Sequence, residues 1–236
     1  MGKSTLTVGN WNGSTHVTDE LTLIIGNKNL SSWSLRPWLV MKAFNIPFRE
    51  VLIRLDQPES RAALKAHSPS GLVPCLRDGE LDIWDSLAIA EHLAELHPEK
   101  KLWPENASAR ALARSMSAEM HSGFSNIRDT WPMEFAREGA QVWGGPGVRK
   151  DIGRLQYLWN EAVENYGTGQ SNSYLFGNFS IADAMFAPVV SRFRTYGPVR
   201  VSTRIADWLE MIWNHPAMQE WGQGAQQEVD KGWYKG

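Results

Sequence analysis

Short β-prone runs are confined to residues 20–98 of this 236-residue chain, and this uneven distribution constrains the fold more than any other feature. Runs suited to strands and segments with helical periodicity alternate there, with strands predicted at 21–25, 48–55, 73–77 and 81–84 and helices at 33–44, 58–66 and 85–96. The order βαβαββα is too short for a Rossmann unit. It predicts a mixed four-stranded sheet with helices on its faces.

The rest of the chain divides by composition. Residues 1–19 are rich in Gly, Ser, Thr and Asn and predict a flexible extension before an α/β domain at 20–98. A polar, turn-rich linker at 99–106 leads to an all-helical domain at 107–236. Helical periodicity predicts four helices in that domain, at 108–135, 148–166, 180–194 and 204–221.

Composition excludes several classes of protein. The single cysteine rules out an intramolecular disulfide, a CxxC redox pair and a thiolate zinc site, and we expect no metal. The 24 basic and 26 acidic residues give a net charge of -2, which argues against nucleic acid as a partner. No apolar run approaches the ~18 residues of a membrane span, and no signal peptide is recognisable. We therefore expect a cytoplasmic protein with a small-molecule partner.

Serine residues cluster where the first helix is predicted to begin. The free N–H groups and the positive dipole end of a helix N-terminus favour an anion, so Ser31 or Ser32 could help to hold a thiolate or carboxylate. Simple N-capping is the alternative interpretation, because serine is a preferred cap. The two functions are compatible if different serines perform them.

Two further motifs carry polar groups that a ligand could use. Pro74 follows Val73 at the start of a predicted strand, and a cis bond there would turn the Val73 backbone outward; a trans proline at a strand start is the alternative. Asp85 and Ser86 open the third predicted helix, where they could bind the ammonium and carboxylate of an amino-acid head group. Ordinary capping by Asp85 is again the alternative.

A capping box is predicted in the helical domain. Ser180 and Asp183 have the S-x-x-D spacing, and Phe179 precedes them. We interpret this motif as structural: it would start a buried helix whose apolar face includes Ile181 and Met185.

In this order, the motifs resemble those of the cytosolic glutathione transferases, from residue 21 to about 221. The SSWSLR sequence at 31–36 is similar to the serine motif of the zeta and tau classes, and Val73-Pro74, DSLAI at 85–89 and SIAD at 180–183 follow. The resemblance implies a thioredoxin-like N-terminal domain and an all-helical C-terminal domain. It also implies a glutathione site that faces a substrate site between the domains, and a homodimer.

The resemblance implies roles for individual residues. Ser31 matches the serine that donates to the glutathione sulfur, and Ser32 is the alternative if the turn is offset by one. Val73 would pair with the cysteinyl main chain, and Asp85 with Ser86 would hold the γ-glutamyl end. Glutathione would then be the cosubstrate, and the serine would be a donor to its thiolate rather than a nucleophile.

The chain also departs from the family pattern. Trp33 stands where the zeta class usually has cysteine, which disfavours a glutathionyl-cysteine mechanism. Cys75 is expected to be a buried small hydrophobe. Leu72 replaces the Lys or Gln that often contacts glutathione before Val-Pro, so the glycyl end lacks an obvious partner unless Lys65 or His67 substitutes.

The second substrate is the least constrained part of the prediction. Family likeness places the long helix at 108–135 along the substrate cleft, with His121, Phe124 and Arg128 near its middle. His121 and Arg128 are seven residues apart and would share a helix face, where Arg128 could bind an anionic or carbonyl group or form a surface salt bridge. Trp33 would wall the same cleft. These residues predict a small hydrophobic or anionic electrophile.

Three functions follow from the resemblance. The first is a detoxifying glutathione S-transferase, in which Ser31 activates the glutathione thiolate. The second is a glutathione-dependent cis–trans isomerase of the maleylacetoacetate or maleylpyruvate type, and the third is a noncatalytic binding protein. The third is disfavoured because the turn serines and the Asp85-Ser86 pair are both present.

Overall fold

The computed structural model describes residues 20–55, 57–169 and 173–234, so the predicted extension at 1–19 lies outside the described residues. The elements of the first part are β1 (Thr22–Ile25), α1 (Ser32–Ala43), β2 (Arg49–Leu52), α2 (Ser60–His67), β3 (Cys75–Asp78), β4 (Leu81–Trp84) and α3 (Ser86–Leu96). A 3-10 turn at Pro98–Lys100 precedes α4 (Ala107–Ser122), α5 (Ser125–Thr130), α6 (Gly145–Tyr166), α7 (Ile181–Tyr196), α8 (Thr203–Trp213) and α9 (Pro216–Asp230). The predicted fold class, βαβαββα followed by helices, is confirmed.

The four strands form one mixed sheet in the order β2-β1-β3-β4. Strand β1 pairs parallel with β2 and antiparallel with β3, and β3 pairs antiparallel with β4. Strand β1 is buried along its whole length, which explains why its sequence is a nearly continuous apolar run instead of an alternating one. This central strand leads directly into the turn before α1.

Helices α1 and α7 pack against each other where the sheet-bearing part meets the helical part. Trp38 and Leu39 of α1 are fully buried, and almost every residue of α7 is buried as well. Helices that are buried on all sides form the centre of a core rather than its surface layer. The N-terminal turn of α1 is therefore held firmly against the helical part.

Tryptophans fill much of this core. The rings of Trp38 and Trp221 have centroids 5.1 Å apart, and those of Trp159 and Trp208 are 5.0 Å apart. The place of Trp84 in a predicted strand also suggests a packing role. This expectation is wrong, because Trp84 ends the edge strand β4 and is 49% exposed.

Two long predicted helices are each divided in the structure. The one predicted at 108–135 ends at Ser122, because Gly123 terminates α4 and Phe124 takes a left-handed conformation with φ of 60°. The one predicted at 204–221 becomes α8 and α9, because Pro216 can open a helix but cannot continue one. Apolar periodicity continues across both breaks and does not reveal them.

The turn between β1 and α1 is tied to the helical part by hydrogen bonds. The Glu228 carboxylate on α9 accepts the N–H of Lys28 at 2.6 Å and that of Asn29 at 3.0 Å. The backbone and side-chain oxygens of Asn29 accept the N–H groups of Phe135 and Ala136 at 2.9 and 2.8 Å. Both parts of the molecule therefore determine where this turn lies.

Candidate functional site

A cavity of about 380 Å³ opens between the sheet-bearing part and α4. The starts of α1 and α3, the segment before β3 and the ends of β4 and α4 contribute its lining: Trp33, Ser70, Leu72, Val73, Pro74, Trp84, Asp85, Ser86 and His121. Sequence motifs mark all of these residues except Ser70 and Trp84. In the sequence, the only indication that Ser70 and Trp84 line the cavity is that each lies beside one of these motifs.

Ser31 is the N-cap residue of α1. Its Oγ accepts the Ser34 N–H at 3.3 Å and donates to Ser34 Oγ at 2.7 Å, and Ser34 Oγ also accepts the Gly26 N–H at 3.1 Å. Because each hydroxyl is both a donor and an acceptor, Ser34 can donate to Ser31 in the reverse direction. That reversal frees the Ser31 proton for another acceptor.

Ser32 has a different environment from Ser31. Its Oγ accepts a hydrogen bond from Arg192 Nη2 at 3.5 Å. Ser31 and Ser32 are only 6% and 7% exposed, and the cavity lining reaches their turn through the neighbouring Trp33. Capping is thus observed for Ser31, while Ser32 is held by an arginine from the helical part.

The Val73–Pro74 peptide bond is cis, and β3 begins directly after it. Within the described part of the chain, the Val73 N–H and C=O have no hydrogen-bond partner. Leu72 beside it is 66% exposed, and its N–H is bonded to Ser70 Oγ at 3.3 Å. The cavity wall therefore offers one unpaired backbone donor and acceptor at the edge of an apolar surface.

Asp85 caps α3 and also pairs with the helical part. Its Oδ1 accepts the N–H groups of Leu87 and Ala88 at 2.8 and 3.3 Å, and His121 Nε2 lies 2.5 Å from its Oδ2. Burial opposes ionisation, but the His121 and backbone hydrogen bonds outweigh it and lower the pKa of Asp85. Asp85 has a φ of 81°, a strained conformation of the kind that clusters at functional sites.

The Trp33 ring is held by three cationic or aromatic neighbours. The guanidinium carbons of Arg36 and Arg128 lie 4.3 and 4.6 Å from the ring centroid, and the His121 ring meets it edge-on at 5.3 Å. Contacts of this kind are attractive and orient the indole. Trp33 is therefore a fixed part of the cavity wall.

Known proteins with similar sequences include glutathione transferases and maleylacetoacetate isomerases. A family model described as "Glutathione S-transferase, N-terminal domain" matches residues 30–96. A probable maleylacetoacetate isomerase from Caenorhabditis elegans is 27% identical over 201 residues, which cover 80% of this chain and 89% of that protein. Glutathione S-transferase 1 from Dianthus caryophyllus is 25% identical over 182 residues, which cover 75% of this chain and 79% of that protein.

The fold agrees with solved structures. A glutathione transferase homolog from Burkholderia, crystallised with bound glutathione, matches with a TM-score of 0.66 and 21% identity, over 89% of this chain and 99% of that one. Over most of its length, this chain is similar to members of the glutathione transferase family. The resemblance that the sequence motifs indicate is thereby confirmed.

The likeness to glutathione transferases places Arg128 and Phe124 in the substrate cleft, but in the structure both lie elsewhere. Since α4 ends at Ser122, His121 and Arg128 do not share a helix face, and that expectation is wrong. Arg128 donates to the carbonyl groups of Met120, His121 and Gly123, so it caps the end of α4 instead of forming a surface salt bridge. Phe124 is buried in the core and does not line the cavity.

The predicted capping box is formed at the start of α7, where Ser180 and Asp183 bond each other's backbone groups. Lys65 and His67, considered for the glycyl end of glutathione, do not line the cavity.

The described residues contain no group of three or more His, Cys, Asp or Glu side chains placed to hold a metal ion. None of the helices among them is long and apolar enough to cross a membrane. The polar groups at the cavity are backbone atoms, hydroxyls and the Asp85–His121 pair.

Cys75 is not part of the cavity lining. It is fully buried in β3, and burial raises the pKa of its thiol even though a hydrogen bond with Ser68 opposes the effect. A buried thiol with a raised pKa is a poor nucleophile. The structure therefore gives Cys75 a packing role.

Replacement of Cys75 by alanine is expected to leave glutathione-dependent activity within about twofold of wild type, at a cost of roughly 1 kcal/mol in stability for the lost sulfur contacts. Steady-state kinetics and urea unfolding would measure the two effects. A folded variant with more than about tenfold lower kcat/KM would show that the thiol takes part in the reaction.

Proposed function

We propose that this protein is a glutathione S-transferase in which Ser31 stabilises the thiolate of glutathione for attack on an electrophile. The observation that supports the proposal most directly is the convergence of the free Val73 backbone and the Asp85–Ser86 pair on one cavity of about 380 Å³. The capped N-terminus of α1 adjoins this cavity through Trp33. Relatives with transferase names, and a structural neighbour with bound glutathione, support the same function.

The proposed binding mode uses groups that are already oriented. The Val73 N–H and C=O would pair with the cysteinyl main chain of glutathione, as an added strand pairs with a sheet edge. Ser86, through its hydroxyl and its N–H at the start of α3, would bind the γ-glutamyl carboxylate. Asp85, whose lowered pKa keeps it ionised, would bind the γ-glutamyl ammonium.

The proposed chemistry takes place at the glutathione sulfur. A thiol with a pKa near 8.5 is only a few per cent ionised at neutral pH, and both a hydroxyl donor and a helix N-terminus increase that fraction. Ser31 would turn its proton to the sulfur while Ser34 donates to Ser31. The thiolate then forms a bond to the electrophilic carbon, whose leaving group departs with the bonding electrons.

The cavity wall suggests the kind of electrophile. Trp33 and Trp84 offer aromatic surface. His121 is polar, but its Nε2 is already hydrogen-bonded to Asp85. We therefore propose a small electrophile with a hydrophobic body. An electrophile with an anionic group is the alternative, and kinetics with both kinds of substrate would distinguish them. No metal is part of the proposal.

Substitution of Asp85 by asparagine is expected to raise the KM and Kd for glutathione about 10- to 100-fold with a smaller change in kcat, because the ammonium loses its charged partner. Calorimetric titration and steady-state kinetics would measure both constants. Asp82→Asn is the matched control, since Asp82 lies on the neighbouring strand and pairs with Arg77 at 2.8 Å. Equal effects of the two variants would argue against a role for Asp85 in binding.

The proposed function is tested first on the wild-type protein. We expect retention on immobilised glutathione, and turnover of a chlorinated aromatic electrophile that depends on glutathione. Binding without turnover over a broad panel of electrophiles would favour a noncatalytic binding protein. Absence of binding would contradict the proposal as a whole.

Cis–trans isomerisation is the second candidate, and the relative named a probable maleylacetoacetate isomerase favours it. In that reaction glutathione adds to the double bond of a maleyl-type diacid and leaves again after rotation, so no glutathione is consumed. Parallel assays with maleylacetoacetate and with the chlorinated aromatic compound would separate the two functions. A much higher kcat/KM for the diacid would make isomerisation the main activity.

The family also implies a homodimer and a cytoplasmic location, and we include both in the proposal. Sedimentation equilibrium would measure the mass in solution, and fractionation of the source cells would test the location.

A further inference from the structure

Three arginines surround the first turn of α1: Arg36 from α1 itself, Arg128 from α5 and Arg192 from α7. We call them the arginine cluster. Arg36 and Arg128 lie on the Trp33 ring, and Arg192 Nη2 donates to Ser32 Oγ at 3.5 Å. The cluster therefore adjoins the two residues that follow Ser31.

The arginine cluster makes only neutral hydrogen bonds. Arg36 Nε donates to the Met185 carbonyl at 3.2 Å and its Nη1 to Ser86 Oγ at 3.4 Å, and Arg192 Nε donates to the Trp131 carbonyl at 2.7 Å. Within the described residues, none of the three guanidinium groups forms a salt bridge with a carboxylate. Three positive charges thus share one region without a paired anion.

The acidic groups that face the cluster are engaged elsewhere or exposed. Asp85, which faces Arg36, is paired with His121, and Asp151, which faces Arg128, accepts bonds from Asn126 and the Ile127 N–H. The remaining groups are the exposed Asp129 near Arg128 and the Tyr196 phenol near Arg192. None of them neutralises the cluster directly.

Burial makes this excess of positive charge costly. Arg36 is 1% exposed, and within the described part of the chain its Nη2 has no hydrogen-bond partner. Burial, followed by repulsion from Arg128 and Arg192, lowers the pKa of Arg36 well below its usual value. Burial and Arg128 likewise lower the pKa of Arg192 to about 10. An anion bound nearby would offset this cost.

We propose that Arg192 and Arg36 supply buried positive charge beneath the first turn of α1, and that the thiolate of bound glutathione is the anion that this charge serves. The inference rests on the proposed function, because it requires glutathione at Ser31. Arg192 acts through Ser32 and Arg36 through Ser86 and Trp33, so both are positioning residues rather than catalytic residues. For Arg192 the thiolate is favoured over the γ-glutamyl carboxylate, because Arg192 reaches Ser32 beside Ser31, whereas only Arg36 contacts the start of α3.

The test is an ultraviolet titration of the thiolate of bound glutathione in Arg192→Met and Arg192→Gln. Loss of the charge is expected to raise the pKa of the bound thiol by about one unit, which is about tenfold less thiolate at a pH below both values. The pH profile of kcat/KM should shift by the same amount, and Arg192→Lys should restore part of the effect. The glutamine variant retains a donor for the Trp131 carbonyl in case the methionine variant does not fold.

Arg194→Met is the matched control. Arg194 lies on the same helix, is partly exposed and pairs with Glu210, so its removal should leave the thiol pKa unchanged. Affinity for S-methylglutathione, which cannot form a thiolate, should also be preserved in the Arg192 variants.

Three results would overturn the proposal. The first is an unchanged thiol pKa in both Arg192 variants. The second is a loss of S-methylglutathione affinity as large as that for glutathione, which would show a purely structural role. The third is a KM that rises only for electrophiles bearing a carboxylate, which would assign the cluster to the second substrate. Failure of the wild-type protein to bind glutathione would contradict the proposed function instead.

Discussion

Ser31→Ala is expected to lower kcat/KM for glutathione-dependent turnover about 100-fold or more, while the affinity for S-methylglutathione changes little. The reason is that alanine lacks the hydroxyl that donates to the glutathione thiolate. Removal of one such preorganised donor typically costs 10²- to 10³-fold in rate. The pKa of the bound thiol should rise in the same variant. Stopped-flow kinetics and ultraviolet titration of the thiolate would measure the two quantities.

The Ser31 side chain also caps α1, so alanine removes two functions at once. Loss of an N-cap typically costs about 1 kcal/mol with alanine but only a few tenths with glycine. Ser31→Gly should therefore show the same kinetic loss with nearly wild-type stability, and Ser31→Thr should recover part of the activity. Ser32→Ala tests the alternative donor, because the Ser32 hydroxyl accepts from Arg192 instead of capping the helix. A larger kinetic loss in Ser32→Ala than in Ser31→Gly would move the donor role to Ser32.

Asp183→Ala is expected to be the most destabilising of the substitutions considered. Asp183 is fully buried and accepts four hydrogen bonds, from the Leu175 N–H, the Trp208 indole, and the N–H and hydroxyl of Ser180. Each buried donor left without an acceptor costs about 1–3 kcal/mol, so we expect a loss of at least about 3 kcal/mol. Urea unfolding would measure it.

Asp207→Ala provides the comparison for this stability measurement, since Asp207 precedes Trp208 on α8 and is only half-buried. A loss of similar size in both variants would mean that the hydrogen bonds of Asp183 add little.

The stability contribution of Asp183 should also depend on pH. Burial raises the pKa of Asp183 to about 6, against the opposing hydrogen bonds from Trp208, Leu175 and Ser180. The folded state therefore holds the proton more strongly than the unfolded state, whose pKa is about 4. The stabilisation is fully present below about pH 4 and is lost as the pH rises through about 6.

Relative to Asp183→Asn, the wild-type free energy of unfolding should thus fall between pH 4 and pH 6, by an amount of the order of 3 kcal/mol. Denaturant titrations at closely spaced pH values would measure the difference. Parallel pH curves for the two proteins would show that Asp183 has an ordinary pKa in the folded state.

The order of elements could be predicted because it depends on local patterns. The buried strand β1 is a continuous apolar run, and the hairpin of β3 and β4 has a Gly-containing turn. The break after Ser122 could not be predicted, because the apolar residues Phe124 and Ile127 continue the helical period beyond it. Gly123 and the left-handed backbone at Phe124 together separate the two helices.

The lining of the cavity could be predicted where one short motif supplies it, as with Val73-Pro74 and with Asp85 beside Ser86. It was not predictable where the partner is distant in sequence. His121 meets Asp85 across the two parts of the chain, and Arg192 reaches Ser32 from α7. In sequence, an arginine on a helix usually indicates a solvated face, and only the packing of α1 on α7 shows that Arg36 and Arg192 are buried.

The hydrogen bonds from α9 and from residues 135–136 to the turn before α1 have a consequence for modular evolution and protein engineering. Glu228 supplies both acceptor oxygens for the backbone N–H groups of Lys28 and Asn29. A chimera that joins the sheet-bearing part to the helices of a relative would keep the serine motif at 31–36 but lose the Glu228 acceptors that hold the turn before it. The turn before Ser31 is thus held by both parts of the molecule. Recombination at the linker would remove its hydrogen bonds to Glu228, Phe135 and Ala136.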